Sequence, residues 1–210
     1  MPLARARAAL KQVFGYDDFR PGQDEVIGAV LAGEDVLAVM PTGSGKSMCY
    51  QLPAIVDGGL TVVVSPLIAL MRDQVQQMAH VGVAAATLNS GNGDEANRET
   101  LKRIRAGEVS LLFVSPERLA GDGLVSLLAS SAVKRLAIDE AHCVSQWGHD
   151  FRPEYRQLAR LRSALGNVQV VALTATADAA TRSDIADQLF ASPPRIVVHS
   201  FDRPNLHLRF

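Results

Sequence analysis

The sequence predicts an α/β domain, a mainly parallel β-sheet with helices on both faces. Three observations carry that prediction. Short apolar runs rich in β-branched residues recur along the chain, helical patterns lie between them, and the runs are continuous rather than alternating. Strands covered on both faces read this way, because the crossover helices of a parallel sheet bury both sides. The 210 residues suit one large domain, and 48 % hydrophobic with 20 % charged residues is an ordinary globular composition.

The elements follow in order. In the opening stretch "MPLARARAALKQVFGY", Leu3, Ala6, Leu10, Val13 and Phe14 recur at helical spacing. The stretch also carries arginines without acids, as mitochondrial transit peptides do. The helix reading is preferred because the segment runs straight into a motif. Strands are expected at 36–40, 60–64, 111–114, 135–138, 168–173 and 195–198, each bounded by turn or polar residues. Helices are expected near 23–32, 46–56, 68–80, 94–106, 117–130, 154–165 and 178–190. The polar segments 89–99 and 120–123 read as exposed loops. Ligands of such sheets sit at the carboxyl ends of the strands, so the loops after 40, 64, 114, 138 and 173 are the places to look.

Composition narrows the function classes. A formal net charge of −1 excludes a uniformly basic nucleic-acid clamp, so any DNA or RNA contact must come from local patches. Cys49 and Cys143 have no CxxC partner and are too few for a four-cysteine zinc site or a disulfide framework. No zinc is expected, and the cysteine usage suits a reducing cytoplasm, such as the bacterial cytoplasm or nucleoid. No apolar run is long enough for a membrane span.

The segment "MPTGSGKS" (40–47) follows a strand and opens a helix. Thr42, Gly43, Ser44 and Gly45 would turn backbone N–H groups around a phosphate, aided by the helix N-terminus. Lys46 would reach the β- and γ-phosphates, and the Ser47 hydroxyl would hold Mg²⁺. Met40 stands where a strict phosphate loop has glycine. In "LAIDEAH" (136–142) another strand ends in two carboxylates. Asp139 is placed to bind the Mg²⁺ of a nucleotide and Glu140 to act as general base on the attacking water. His142 would couple the γ-phosphate site to its surroundings. A plain Gly-rich turn and a solvated acidic loop are the alternatives.

Phosphate loop, "DEAH" and "LTATA" (173–177), in that order, resemble a superfamily 2 helicase, which implies a RecA-like fold. Five further segments narrow the resemblance to the RecQ family of DNA helicases: "FGYDDFRPGQ" (14–23), "VVVSPLIALMRDQV" (62–75), "FVSPERL" (113–119), "CVSQWGHDFRPEY" (143–155) and "FDRPNL" (201–206).

The resemblance implies a role for each. Gln23 would pair with adenine, with Tyr16 and Arg20 beside the base; an amide offers the donor and acceptor that adenine needs. The alternative is a helix cap with a satisfied glutamine. Ser65 and Arg118 would contact the DNA backbone, while Leu67, Leu70 and Met71 read as core. Thr174 and Thr176 would relay between the nucleotide and DNA through hydroxyls turned towards the acidic loop.

Trp147, Phe151 and Tyr155 are four apart, which on a helix would make an apolar stripe, but Gly148 and Pro153 argue for a loop. In the family this aromatic-rich loop couples DNA binding to ATP hydrolysis. Aromatic faces stack on unpaired bases for roughly 1–3 kcal/mol each. Trp147, Phe151 and Arg152 are the chosen DNA contacts, His149 is a further candidate able to contact either side, and Tyr155 is expected to pack inward.

The implied protein is an ATP- and Mg²⁺-dependent 3′-to-5′ DNA helicase acting in repair and recombination, on single-stranded and partly duplex DNA. Residues 1–200 would be its first RecA-like domain, and 201–210 the start of a linker to a second that supplies arginine fingers. Without that second domain, slow hydrolysis and no unwinding are expected. An RNA helicase of the DEAD or DEAH type, and a nucleotide-gated binding module without motor activity, are the competing classes.

Overall fold

The computed structural model describes residues 2–147, 150–166 and 168–199. His149 and the expected linker 201–210 lie outside the described residues. Among these, seven strands form one parallel sheet: β1 (Val36–Val39), β2 (Leu60–Val64), β3 (Ala85–Leu88), β4 (Leu111–Val114), β5 (Val133–Ile138), β6 (Gln169–Thr174) and β7 (Arg195–Val198). Their spatial order is β3-β4-β2-β5-β6-β1-β7. The helices are α1 (Pro2–Phe14), α2 (Gln23–Leu31), α3 (Met48–Asp57), α4 (Ile68–His80), α5 (Asp94–Arg105), α6 (Asp122–Ala129), α7 (Leu158–Ala164) and α8 (Ala179–Leu189).

The pleat divides each apolar run between two cores. Leu37, Val62, Val64, Leu136 and Ile138 join Ile104, Leu128, Leu161 and Ile185 from α5–α8. Their strand neighbours Val36, Ala38, Val63 and Ala137 join Leu10, Val26, Leu52 and Met71 from α1–α4. Strands β1, β2 and β4 are buried along their whole length, which explains their continuous apolar reading. A fully buried aliphatic side chain contributes roughly 1.5–3 kcal/mol, so the two cores fix the sheet before any loop matters.

Cross-strand bonding continues past the strand ends. Met40 N donates to Thr174 O at 3.0 Å, Asp139 N to Val64 O at 2.9 Å, and Ser65 N to Val114 O at 3.2 Å. The motif loops after β1, β2, β4, β5 and β6 are thereby held in register along one edge of the sheet.

The structure departs from these expectations in five places. Strand β3 was not anticipated; as an edge strand it is only half buried, and its "AATL" sequence lacks a continuous run of large apolar residues. The helix expected at 117–130 is a 3-10 turn (Pro116–Ala120) followed by α6, because Gly121 takes an extended conformation between them. Likewise 154–165 opens as a 3-10 turn (Pro153–Gln157) before α7.

The segment 89–99 is not simply exposed. Asn89 is fully buried, its amide donating to Thr87 Oγ1 at 2.9 Å and accepting from Gly91 N at 2.8 Å, and α5 begins at Asp94. Leu67 was expected in the core but is exposed, since it sits in the turn before α4 rather than on the helix face that carries Met71.

Candidate nucleotide site and its connection to an aromatic loop

The loop 40–47 leaves β1 and enters α3 with Gly43 at φ 83° and Gly45 at φ 78°, a region that a residue with a Cβ rarely adopts. A Cβ on Gly45 would also stand 2.6 Å from Gln23 Nε2. Glycine at this position is therefore required twice over. Ser47 is the N-cap residue of α3, and Lys46 Nζ lies over the loop, 3.3 Å from Met40 O.

Gln23 is buried at the start of α2 and its amide holds the loop together. Nε2 donates to Ser44 O at 3.1 Å and Gly45 O at 3.0 Å, while Oε1 accepts from Arg20 N at 2.9 Å. Arg20 Nη1 donates to Gly43 O at 2.6 Å. A paired contact between Gln23 and adenine would require these bonds to be exchanged. Half-exposed Tyr16, Arg20, Gln23, Gly45 and Ser47 line a cavity of about 220 Å³. Gln51 and Gln74, buried and hydrogen-bonded to each other, belong to the same wall. Sequence reading missed this glutamine pair, because Gln51 lies mid-helix on α3 and Gln74 inside α4, with no motif to mark either.

Asp139, just past β5, is buried. Burial first and the neighbouring Glu140 second push its carboxyl up to about 6, against the Glu140 N–H, Lys46 and Ser65, which favour the charged form. Ser65 Oγ donates to Asp139 Oδ2 at 3.4 Å, and Tyr155 Oη donates to Asp139 O at 3.3 Å. The Ser65 hydroxyl, expected at DNA, therefore faces the acid. Among the described residues Glu140 is the one non-glycine with positive φ, 50°, and this is where the chain turns from β5 into the 3-10 turn Ala141–Val144. Strain of this kind is held by its surroundings; Glu140 O accepts from Cys143 N at 2.9 Å.

His142 is buried between two elements. Its Nδ1 is 3.3 Å from Glu140 Oε2 and 3.0 Å from Thr174 Oγ1, and Thr174 Oγ1 donates onward to Thr176 O at 3.1 Å. Thr176 thus enters through its backbone. The ligand atoms of His142, Cys143 and Asp150 lie within 4.8 Å of one another, a set of the kind that can hold a metal. Burial pushes the Cys143 thiol up to about 12, so it stays protonated and donates to Asp150 Oδ2 at 3.8 Å, while Asp150 pairs with Arg152 at 3.2 Å.

The aromatic segment starts directly after that 3-10 turn. Trp147 is 77 % exposed, Phe151 and Arg152 are half-buried, and Tyr155 is buried with its hydroxyl on Asp139 O. Residues 145–147 and 150–152 are turns and irregular backbone. Arg118 lies in the 3-10 turn after β4, half-buried, and its Nε has no hydrogen-bond partner.

The comparisons agree with this geometry. The family described as DEAD/DEAH box helicase matches residues 20–185. The ATP-dependent DNA helicase RecQ of Haemophilus influenzae is 50% identical over 201 residues, covering 96% of this chain and 32% of the relative. That of Bacillus subtilis is 44% identical over 206 residues, covering 97% and 35%. The chain thus spans about a third of the length of these curated relatives. Among solved structures, Mycobacterium smegmatis helicase Lhr, bound to ssDNA and AMP-PNP, aligns with a TM-score of 0.71 at 23% identity over 95% of this chain and 28% of that one. The latter likeness shows the RecA-like fold. With phosphate loop, acidic pair and threonine turn brought to one edge of a parallel sheet, and with the family match running through all three, the chain belongs to the DEAD/DEAH box helicase family, as a first motor domain of the RecQ kind.

Proposed function

We propose that this domain, residues 1–200, is the ATP- and single-strand-binding lobe of an ATP-driven 3′-to-5′ DNA helicase acting in repair and recombination. A second RecA-like domain and single-stranded and partly duplex DNA are its partners. The observation that carries the reading is Trp147, 77 % exposed on a segment that leaves the acidic pair after a single 3-10 turn. A large aromatic face held in water so close to the carboxylates is poorly explained by folding and well explained by base stacking.

The residues fit ATP and Mg²⁺. Gly43 and Gly45 keep a cradle that side chains would strain or fill, and Lys46 adds the cation a polyphosphate needs. Thr42 and Ser44 belong to the same cradle. Asp139 with Ser47 supplies hard oxygen donors of the type Mg²⁺ selects. Bound Mg²⁺ would neutralise phosphate charge and lower the carboxyl of Asp139 into its ionised form. Glu140, whose Oε2 lies 3.3 Å from His142 Nδ1, is the proposed general base. His142 fixes the Glu140 side chain and senses Thr174, so a shift of either element reaches the other.

Trp147, Phe151, His149 and Arg152 are proposed to meet the strand, with Arg118 adding a phosphate contact. Gln23, Arg20 and Tyr16 are proposed to surround adenine, with Gln23 tying recognition of the base to the shape of the loop.

The test uses the single tryptophan. Titrating the chain with a short single strand, with and without ATP–Mg²⁺, is expected to give a saturable change in Trp147 emission that weakens at high salt. Equal response to an RNA strand would redirect the reading to RNA, and no response from a folded, nucleotide-binding chain would remove Trp147 from the strand path of this lobe.

A further inference from the structure

Asp184 lies on α8, outside every motif of the sequence, yet it is the anchor of the aromatic segment. Its Oδ2 accepts from Ser145 Oγ at 2.6 Å and from Gln146 N at 3.1 Å. Ser145 Oγ in turn accepts from Trp147 N at 3.1 Å. Its other oxygen, Oδ1, accepts from Gln188 Nε2 at 2.7 Å, which fixes the plane of the carboxylate. Three consecutive residues at the root of the loop therefore hang from one side chain.

The support behind Asp184 is rigid. Ile185 and Leu189 of α8 are buried in the core, and the helix is capped by Asp178, which accepts from Thr181 N at 2.8 Å. Arg182 Nη1 donates to Ala177 O at 2.9 Å, tying α8 to the turn that contains Thr174 and Thr176. Burial works against the charge, yet the Ser145 hydroxyl, the Gln188 amide and the Gln146 N–H together hold the Asp184 carboxyl below the usual carboxylate range. An anion beside a surface that meets a polyanion is disfavoured unless it holds something in place.

We propose that Asp184 is the positioning residue of the aromatic loop: it clamps Ser145 and Gln146 to α8 and so presents Trp147 for stacking on a strand. The consequence for the strand rests on the DNA reading above, whereas the clamp itself does not. Replacement by asparagine should preserve the clamp. The amide oxygen can accept from both Ser145 and Gln146, and its NH₂ can donate to Gln188 once that amide turns over. Replacement by alanine cannot.

The experiment compares the unaltered 210-residue chain with Asp184→Ala, Asp184→Asn and Ser145→Ala. Amide exchange is read at Gln146 and Trp147, together with Trp147 anisotropy, single-strand affinity and nucleotide affinity. Asp184→Ala is expected to speed exchange at both amides by about tenfold or more, since each loses its acceptor or the support of it. Anisotropy should fall and strand affinity should weaken severalfold, with nucleotide affinity unchanged and the altered readouts restored in Asp184→Asn. Ser145→Ala, which keeps the Gln146 bond, should loosen Trp147 alone and serves if Asp184→Ala folds poorly. Unchanged exchange and anisotropy in Asp184→Ala would overturn the clamp. A loosened loop with unchanged strand affinity, in a chain whose unaltered form binds the strand, would overturn its role in positioning. Failure of the unaltered chain to bind any strand would instead remove the DNA reading, and the exchange data would still decide the clamp.

Discussion

The Nδ1 of His142 stands 3.0 Å from the Thr174 hydroxyl and 3.3 Å from Glu140 Oε2, so one imidazole joins the end of β6 to the acidic pair after β5. Replacing His142 by Ala is expected to leave nucleotide affinity near its original value. In a protein that joins this domain to the proposed second motor domain, the ratio of DNA-stimulated to basal ATP turnover should fall by about 5- to 150-fold, the range of an ordinary coupling energy. Thr174→Val should do the same, and the double variant should be no worse than either alone. Additive losses would mean that the two residues act separately.

Asp139 sets the pH behaviour. Its folded carboxyl titrates at about 6, above its ordinary value of 3.8, so the folded state binds the proton more tightly than the unfolded chain. Stability from this group is therefore lost as pH rises from about 4 to about 6, by about 3 kcal/mol at most. Asp139→Asn, which mimics the neutral acid, should melt higher than the original chain at pH 7, with the gap closing as pH falls towards 4. Melting curves across that window check the sign. The same variant should lose the Mg²⁺ dependence of nucleotide binding.

Glu140 at φ 50° makes a separable prediction about strain and chemistry. Glu140→Gly should be more stable than Glu140→Ala by about 1 kcal/mol, because only glycine occupies this region without a Cβ penalty. Denaturant unfolding of the two variants measures it. If Glu140 has the proposed general-base role, Glu140→Gln should bind ATP yet slow turnover, in a protein that carries the proposed second domain, by about 10²–10⁴-fold.

Gly45→Ala is expected to weaken nucleotide binding by about tenfold or more, since its Cβ would push on Gln23 Nε2 from 2.6 Å while the backbone is already left-handed. Gln23→Ala removes the same clamp from the other side. Both should lower affinity for ATP, and Gln23→Ala should also narrow the preference for ATP over GTP, read by competition with a fluorescent nucleotide.

Trp147→Ala should shift stability by no more than about 0.5 kcal/mol, as expected for an exposed side chain. It should weaken single-strand binding by about 1–3 kcal/mol. Tyr155→Phe behaves oppositely: it leaves strand binding intact and destabilises the fold by about 1 kcal/mol through loss of the bond to Asp139 O. A melting curve and a labelled-strand titration on each variant distinguish a sensor from a core aromatic.

The sequence by itself determined the parallel α/β class, six of the seven strands among the described residues and the family, and it picked out the Gly-rich loop after β1 and the two carboxylates after β5 that the structure brings to one edge of the sheet. Each of these is local: a buried strand demands a continuous apolar run, and a phosphate cradle demands glycines and a lysine at fixed spacing. It also set Tyr155 apart from Trp147, since a glycine and a proline between them argue against one continuous helix, and Tyr155 is buried while Trp147 is exposed.

What only the tertiary structure decided is everything that depends on chain segments far apart in sequence. Ser65 turned out to face Asp139, 74 residues on, and Gln23 to hold the carbonyls of a loop 21 and 22 residues away. Leu67 left the core, Gln51 met Gln74, and Asp184 reached back 39 residues to Ser145. The physical reason is that a polar side chain's partner is chosen by where two strands or helices end side by side, and the sheet order that sets this is carried by the whole core rather than by any short pattern.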